Sequence, residues 1–193
     1  MNPSELAAWL EHHRPWLADR WRREIERRYG TPTRGINGLL GEFLDVLVSF
    51  LPGLIGPHRD QVDTLWLRAT ELFGAVAARR GLAAGEVIDE FQILREGLIR
   101  LLYQNPPLGG RLPLSLRDIL RLNRAIDSGV TQASVGHTDA LFFSLFEGSG
   151  IPESPPTSEL MFEVRSQLRE IGEELTSIVK DPSGRTGPDN RQG

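Results

Sequence analysis

Apolar residues along this chain recur at positions i, i+3, i+4 and i+7, which is the period of an amphipathic α-helix. No stretch shows the sustained alternation with period two that is typical of a β-strand. The pattern therefore predicts an all-α protein built as a single helical bundle over residues 1–147. The Gly and Pro residues of "EGSGIPESPPT" predict a linker at 148–157. A separate C-terminal amphipathic helix is expected at 158–179, followed by a disordered tail at 180–193.

Proline and glycine set most of the expected helix boundaries. Pro15 lacks the N–H that a helix interior uses, so it is expected to open a second helix rather than continue the first. Pro52 is expected to close the third helix, and Gly30 and Gly81 are expected to stop the helices before them. Ser115 is a candidate N-cap for the longest helix. The predicted helices span residues 3–13, 15–29, 36–51, 59–80, 85–103, 116–146 and 158–179.

Charge and composition exclude several classes of partner. The net charge is -4, which gives no long-range attraction for nucleic acid or for an anionic membrane. The chain has no Cys, so disulfides, thiolate metal sites and a cysteine nucleophile are excluded, and the cytoplasm is the expected location. The most apolar window, residues 36–56, contains Glu42 and Asp45 and is interpreted as a core helix rather than a membrane span.

Motifs for catalysis and metal binding are missing. The sequence has no nucleophile elbow, no phosphate loop of the GxxxxGK[ST] type and no zinc-protease His pair. His12 and His13 are neighbours on a helix, and neither has a metal-ligating partner four residues later on the same face. We therefore expect a protein that is not an enzyme and has no metal site, with His13 partly buried and hydrogen-bonded.

The long helix at 116–146 carries a stripe of small residues, Gly129, Ala133 and Gly136, where another helix backbone could approach closely. His137 lies on its apolar face, and two interpretations remain open for it. It is either a core histidine with a hydrogen-bond partner or, in an all-α domain, the proximal ligand of a haem.

A polar stripe follows a further face of the same helix. It is either solvated or, if it turns inward together with His137, part of a pocket for a polar ligand, since buried polar groups without partners are costly. The candidate pocket residues are Asn123, Asp127, Thr131, Ser134, His137 and Thr138.

The stretch "RRGLAAGEVIDEFQILREGLIRLL" contains Glu86, Glu90, Phe91, Leu94 and Arg95. It resembles the central helix of the N-terminal domain of RsbRD-type co-antagonists, which are bacterial stress-response regulators, and similar domains precede some soluble sensor histidine kinases. "LRLNRAIDSGVTQAS" resembles the helix that follows in this family. The resemblance implies an all-α, globin-like sensory domain without haem that dimerises and passes a signal to an output.

This chain departs from the family in its output. The co-antagonists carry a STAS domain with phosphorylatable Ser or Thr residues, and the kinases carry a His followed by an acidic residue. Neither occurs here, so the resemblance assigns no catalytic or phosphoacceptor residue.

The C-terminal helix has apolar residues at positions a and d of a heptad repeat. We call this set the seam residues; they are Met161, Val164, Leu168, Ile171, Leu175 and Ile178. The repeat lasts about two and a half heptads where three to four are typical of a coiled coil, and it lacks flanking charge pairs. The helix therefore either pairs with its copy in a second chain or docks on its own bundle.

Together these observations predict a non-enzymatic cytoplasmic signalling module that forms a homodimer and binds a bacterial signalling protein, such as a kinase or an anti-sigma pathway component. No cofactor, nucleic acid or membrane partner is expected. The alternative is a globin-like sensor that binds haem or a small ligand through His137.

Overall fold

A computed structural model describes residues 3–30, 34–106, 116–146 and 158–180 of the protein. This part of the chain is a helical bundle without strands, as the hydrophobic period predicts. The predicted linker, the Ser115 cap and the tail after Lys180 lie outside the described residues, and Lys180 itself is the last residue of a helix. The helices are α1 (Pro3–Tyr29), α2 (Arg34–Ile55), α3 (Arg59–Arg79), α4 (Ala84–Gln104), α5 (Leu116–Phe146) and α6 (Ser158–Lys180).

Helix α1 passes through Pro15 without a break, so the expected division at this residue is wrong. Leu10 before it and Leu17 and Trp21 after it are at most 3% exposed and belong to the same core. A proline inside a helix costs about 3 kcal/mol. Burial of each large apolar side chain contributes about 1.5–3 kcal/mol, so the shared core outweighs the lost hydrogen bond.

The expected end of a helix at Pro52 is wrong for the same reason. Helix α2 continues to Ile55, and Leu54 and Ile55 are both buried in the bundle. By length and composition the segment Gly38–Ile55 could cross a membrane, but 56% of it is buried inside the protein. Helix α2 is therefore a core helix, as its two acidic residues indicate.

Gly30 and Gly81 have positive φ angles of 82° and 80°, which confirms them as helix stops. After α3 the N–H of Gly81 donates to the carbonyl of Ala78, and the N–H of Leu82 donates to the carbonyl of Ala77. This pair of bonds is a Schellman motif, which satisfies carbonyls that the helix itself leaves free. The chain reverses here and enters α4.

Six aromatic rings form the centre of the core, with neighbouring ring centroids 5.5 to 6.3 Å apart; they are Trp21, Phe43, Phe50, Trp66, Phe73 and Phe91. Both buried indole N–H groups have partners. Trp21 Nε1 donates to the carbonyl of Glu90, and Trp66 Nε1 donates to the carbonyl of Ala125. The polar edges of these rings are thus satisfied by backbone atoms of α4 and α5.

Helices α3 and α5 run parallel and their backbones touch. Thr70 lies against Gly129, and one turn later Gly74 lies against Ala133. A Cβ atom on Gly74 would lie 1.8 Å from the carbonyl oxygen of Ala133, and one on Gly136 would lie 2.0 Å from the carbonyl oxygen of Glu71. The small-residue stripe therefore permits close helix packing within the bundle, as the sequence suggests.

Helix α6 docks on its own bundle through the seam residues. Val164, Leu168, Ile171 and Leu175 are at most 5% exposed and belong to the main core, while Met161 and Ile178 pack against it partly buried. Two ion pairs fix the docking: Arg165 contacts Glu42 of α2 at 3.0 Å, and Arg68 of α3 contacts Glu174 at 3.1 Å. Of the two arrangements that the heptad pattern leaves open, the structure has the docked one, and the seam is buried within one chain.

We predict that Gly136→Ala lowers the free energy of unfolding by about 3 kcal/mol, because the added Cβ forces α3 and α5 apart. Gly172→Ala in α6 is the matched control. No atom lies within 4 Å of a Cβ at that position, so this change is expected to stabilise the protein by about 1 kcal/mol. Urea denaturation measures both. A Gly136→Ala protein as stable as the unmodified chain would contradict the close backbone contact.

We predict that Leu168→Ala lowers the free energy of unfolding by about 2–5 kcal/mol, independent of protein concentration, because the side chain is buried within its own chain. Val179→Ala, on the exposed side of the same helix, should change it by less than about 0.5 kcal/mol. Thermal unfolding over a hundredfold range of protein concentration distinguishes a seam docked within one chain from a seam that joins two chains. A loss for Leu168→Ala that vanishes at high concentration would show that the seam joins two chains.

Candidate functional site

The polar stripe on α5 lies mostly in solvent. Asp127, Thr131 and Thr138 are exposed, and Asn123 and Ser134 are half-buried. The hydroxyls of Thr131, Ser134 and Thr138 each donate to the carbonyl four residues earlier in the helix, at 2.8 to 3.0 Å. These hydroxyls need no ligand to satisfy them. Because His137 lies on the core side of α5, the structure does not bring the six candidate residues together in one pocket.

His137 is 2% exposed and has a backbone partner. Its Nε2 lies 2.7 Å from the carbonyl oxygen of Leu82, in the turn after α3. Because a carbonyl oxygen only accepts hydrogen bonds, this nitrogen must be the protonated one. The bond ties α5 to the α3–α4 turn. His137 is thus a core histidine with a hydrogen-bond partner.

The surroundings of His137 do not fit haem ligation. Its Nε2, which would face the iron, already donates to the Leu82 carbonyl. The adjacent Gly136 is packed so closely on the backbone of Glu71 that not even a Cβ atom fits there. No flat macrocycle can enter between α5 and α3 at this level.

His13 is half-buried, and its Nδ1 lies 2.8 Å from the carbonyl oxygen of Trp9, which confirms the structural interpretation of this residue. Its neighbour His12 is exposed. Within the described ranges no group of three or more His, Asp or Glu side chains is arranged to hold a metal ion.

A buried ion pair joins the end of α3 to α4. The Glu90 side chain is fully buried and the Arg80 side chain is 7% exposed, and two hydrogen bonds of 2.8 and 3.1 Å connect them. Burial raises the pKa of the Glu90 carboxyl, and the charge and hydrogen bonds of Arg80 oppose that rise. The pair was not anticipated. Its signal in the sequence is the position of Glu90 on the apolar face of α4, next to Phe91 and one turn before Leu94.

The other residues that carry the family resemblance also have structural roles. Glu86 accepts a hydrogen bond of 2.7 Å from the N–H of Ala83 and so helps to begin α4. Phe91 and Leu94 are fully buried, and Arg95 forms an ion pair with Asp127 of α5. The residues of this stretch therefore connect α4 to the neighbouring helices, and each of those named has a structural contact.

An open groove of about 410 Å3 lies between α3, α5 and α6. Apolar side chains in its lining include Leu72, Ala140 and Ile171. Arg79 and Asp139 also line it. Both are exposed, and neither has an ion-pair partner among the residues that the structure describes. The groove thus offers apolar side chains beside charges of both signs, among them Arg79 and Asp139.

The C-terminal end of α5 exposes four large apolar side chains. We call Phe142, Phe143, Leu145 and Phe146 the aromatic end of α5; their exposed fractions are 56%, 65%, 65% and 74%. The rings of Phe142 and Phe146 contact each other with centroids 4.5 Å apart. Phe143 also lines the groove, so the two features form one continuous surface.

The aromatic end was not among the candidate residues, since its four residues belong to the predicted helix at 116–146 without a role of their own. The signal is present in "LFFSLF", residues 141–146, where five of six side chains are apolar and cover most of the helix circumference instead of one stripe. A helix segment with apolar side chains on most of its circumference is normally buried. One that extends past the contact of α5 with Leu82 has little of its own bundle to pack on.

No family model, no curated protein and no solved structure matches this chain. The aromatic end of α5 and the groove beside it are the features on which a function can be proposed.

We predict that Arg80→Met lowers the free energy of unfolding by about 3–5 kcal/mol, because it leaves the Glu90 carboxylate buried without its partner. The double variant Arg80→Met/Glu90→Leu should lose less than the single one, since neither charge remains in the core. Glu96→Gln removes an exposed partner of Arg100 and should change the value by at most about 1 kcal/mol. Chemical denaturation measures these three variants and the single variant Glu90→Leu. A double variant that loses the sum of the losses of Arg80→Met and Glu90→Leu would contradict a coupled pair.

Proposed function

We propose that this protein is a non-enzymatic cytoplasmic signalling module that acts by forming a homodimer and binding a partner. In this proposal it is a helical sensor or adaptor of the RsbRD N-terminal type, and its partner is a bacterial signalling protein such as a kinase or an anti-sigma pathway component. The observation that carries the proposal is the exposed aromatic end of α5.

The size of that apolar surface supports a role in protein association. An aromatic side chain has about 150–250 Å2 of surface. At the exposures of Phe142, Phe143, Leu145 and Phe146, the aromatic end leaves roughly 500 Å2 accessible. The largest apolar patch on a monomer is about 300–600 Å2 and is often functional. A standard interface buries about 800 Å2 per partner, so the aromatic end alone supplies more than half of one.

The all-α fold is also consistent with the resemblance, since it supplies the helical scaffold that a sensory domain of this type needs. The stretch that carries the resemblance forms α4 and its contacts to α3 and α5. A signal received at α4 would therefore reach α5, and the aromatic end lies on α5.

We predict that light scattering after size-exclusion chromatography gives about twice the chain mass of 21.6 kDa. Phe142→Ser/Phe146→Ser should raise the dimer dissociation constant at least about thirtyfold, because the loss of even one aromatic anchor costs an interface about 2 kcal/mol or more. The melting temperature at low concentration should not fall, since these side chains are exposed.

Tyr103→Ser is the matched control. Tyr103 is 89% exposed at the C-terminal end of α4. This end of α4 packs beside the N-terminal half of α5, so Tyr103 lies far from the aromatic end, which is at the C-terminus of α5. This variant should remain dimeric. A strict monomer at micromolar concentration for the unmodified chain would contradict the proposal.

A further inference from the structure

We propose that two copies of this chain associate about a two-fold axis, so that the aromatic end of α5 in each copy packs into the α3–α5–α6 groove of the other. In this arrangement Arg79 of each copy pairs with Asp139 of the other. The inference rests on the homodimer of the proposed function and names the surface that forms it.

The projecting aromatic end and the groove are adjacent on one surface. Phe143 lines the groove and is also one of the four residues of the aromatic end. A two-fold interface uses the same patch on both subunits, so the patch must be complementary to itself. An apolar projection beside a groove lined by both apolar and charged side chains meets this requirement, because each copy supplies the projection that the other receives.

The groove also carries charged side chains of both signs. Among the charged residues of the groove, Arg68 pairs with Glu174 at 3.1 Å, and Glu71 accepts a hydrogen bond of 2.7 Å from Gln132. Arg79, Asp139 and Glu170 have no such partner within the described part of the chain. In the proposed two-fold arrangement Arg79 of each copy lies opposite Asp139 of the other, so that both charges gain a partner. A uniformly acidic or uniformly basic partner would meet a like charge in the groove, which disfavours it.

The volume of the groove and the area of the aromatic end suit an interface between two chains. A volume of about 410 Å3 lies in the range of 300–1,000 Å3 that accommodates a compact apolar group of small-molecule size. The apolar lining of the groove, which includes Leu72, Ala75 and Ile171, adds area to the roughly 500 Å2 of the aromatic end. The rest of the roughly 800 Å2 per partner of a standard interface would come from the polar and charged side chains that line the groove.

Charge reversal tests this interface directly. Arg79→Asp and Asp139→Arg should each raise the homodimer dissociation constant at least about tenfold, because each places like charges opposite one another at both symmetry-related positions. An equimolar mixture of the two variants should dimerise again. In that heterodimer one chain carries Asp at both positions and the other carries Arg at both, so both cross-chain pairs are restored.

Sedimentation equilibrium measures the association, and circular dichroism melting of each variant checks that the exposed substitutions leave the fold intact. Arg124→Asp has the same change in net charge at an exposed position in the N-terminal half of α5. It should leave the dissociation constant within about threefold of the unmodified value, as expected of an isolated surface charge.

The outcomes separate this inference from the proposed function. If the unmodified chain is dimeric but the single variants associate as it does, or the mixture stays monomeric, the dimer uses another surface and only this inference is overturned. If the double variant Arg79→Asp/Asp139→Arg dimerises but the mixture of single variants does not, the two residues pair within one chain. That result would overturn this inference as well. A monomeric unmodified chain would overturn both.

Discussion

The contact between the backbones of α3 and α5 is the constraint on which the rest of the structure depends. At Gly74 and Gly136 the two helices are so close that neither position has room for a methyl group. Such an approach is possible only with glycine, and it fixes both the parallel direction and the register of the two helices. The register in turn places the Ala125 carbonyl against the Trp66 indole and His137 against the turn after α3.

The turn between α3 and α4 collects the buried polar interactions of the bundle. Gly81 takes the positive φ angle that lets the chain reverse, and Leu82 accepts the hydrogen bond of His137. Arg80, one residue earlier, reaches the buried carboxylate of Glu90. A buried charge pair of this kind contributes little net stability, but leaving either member alone is costly. Its effect is to make one alignment of α3 on α4 much better than the alternatives.

These internal constraints also determine the surface. Because α5 is held to α3 along its middle, its C-terminal turns extend past the α3–α4 turn and expose the aromatic end. Because α6 uses its seam on α2 and α3, it lies beside α5 and completes the wall of the groove. The seam of α6, which the heptad pattern suggested for pairing, is therefore buried in its own bundle. The aromatic end of α5 is an apolar surface that remains exposed for association.

The sequence by itself determined the helices, because hydrophobic periodicity and glycine stops are local properties of the chain. The extent of α5 and the stops at Gly30 and Gly81 were all predictable in this way. Local rules failed at Pro15 and Pro52, where burial on both sides of the proline outweighs the loss of one hydrogen bond.

Only the tertiary structure decided which faces turn inward and which partner each buried group meets. It placed the polar stripe of α5 in solvent, gave His137 a backbone partner and docked the seam of α6 on its own chain. It also brought Phe143 to the edge of a groove formed by three helices. A one-dimensional pattern cannot provide this, because an apolar residue at helical spacing has the same signature whether it packs on its own bundle or is left exposed for another chain.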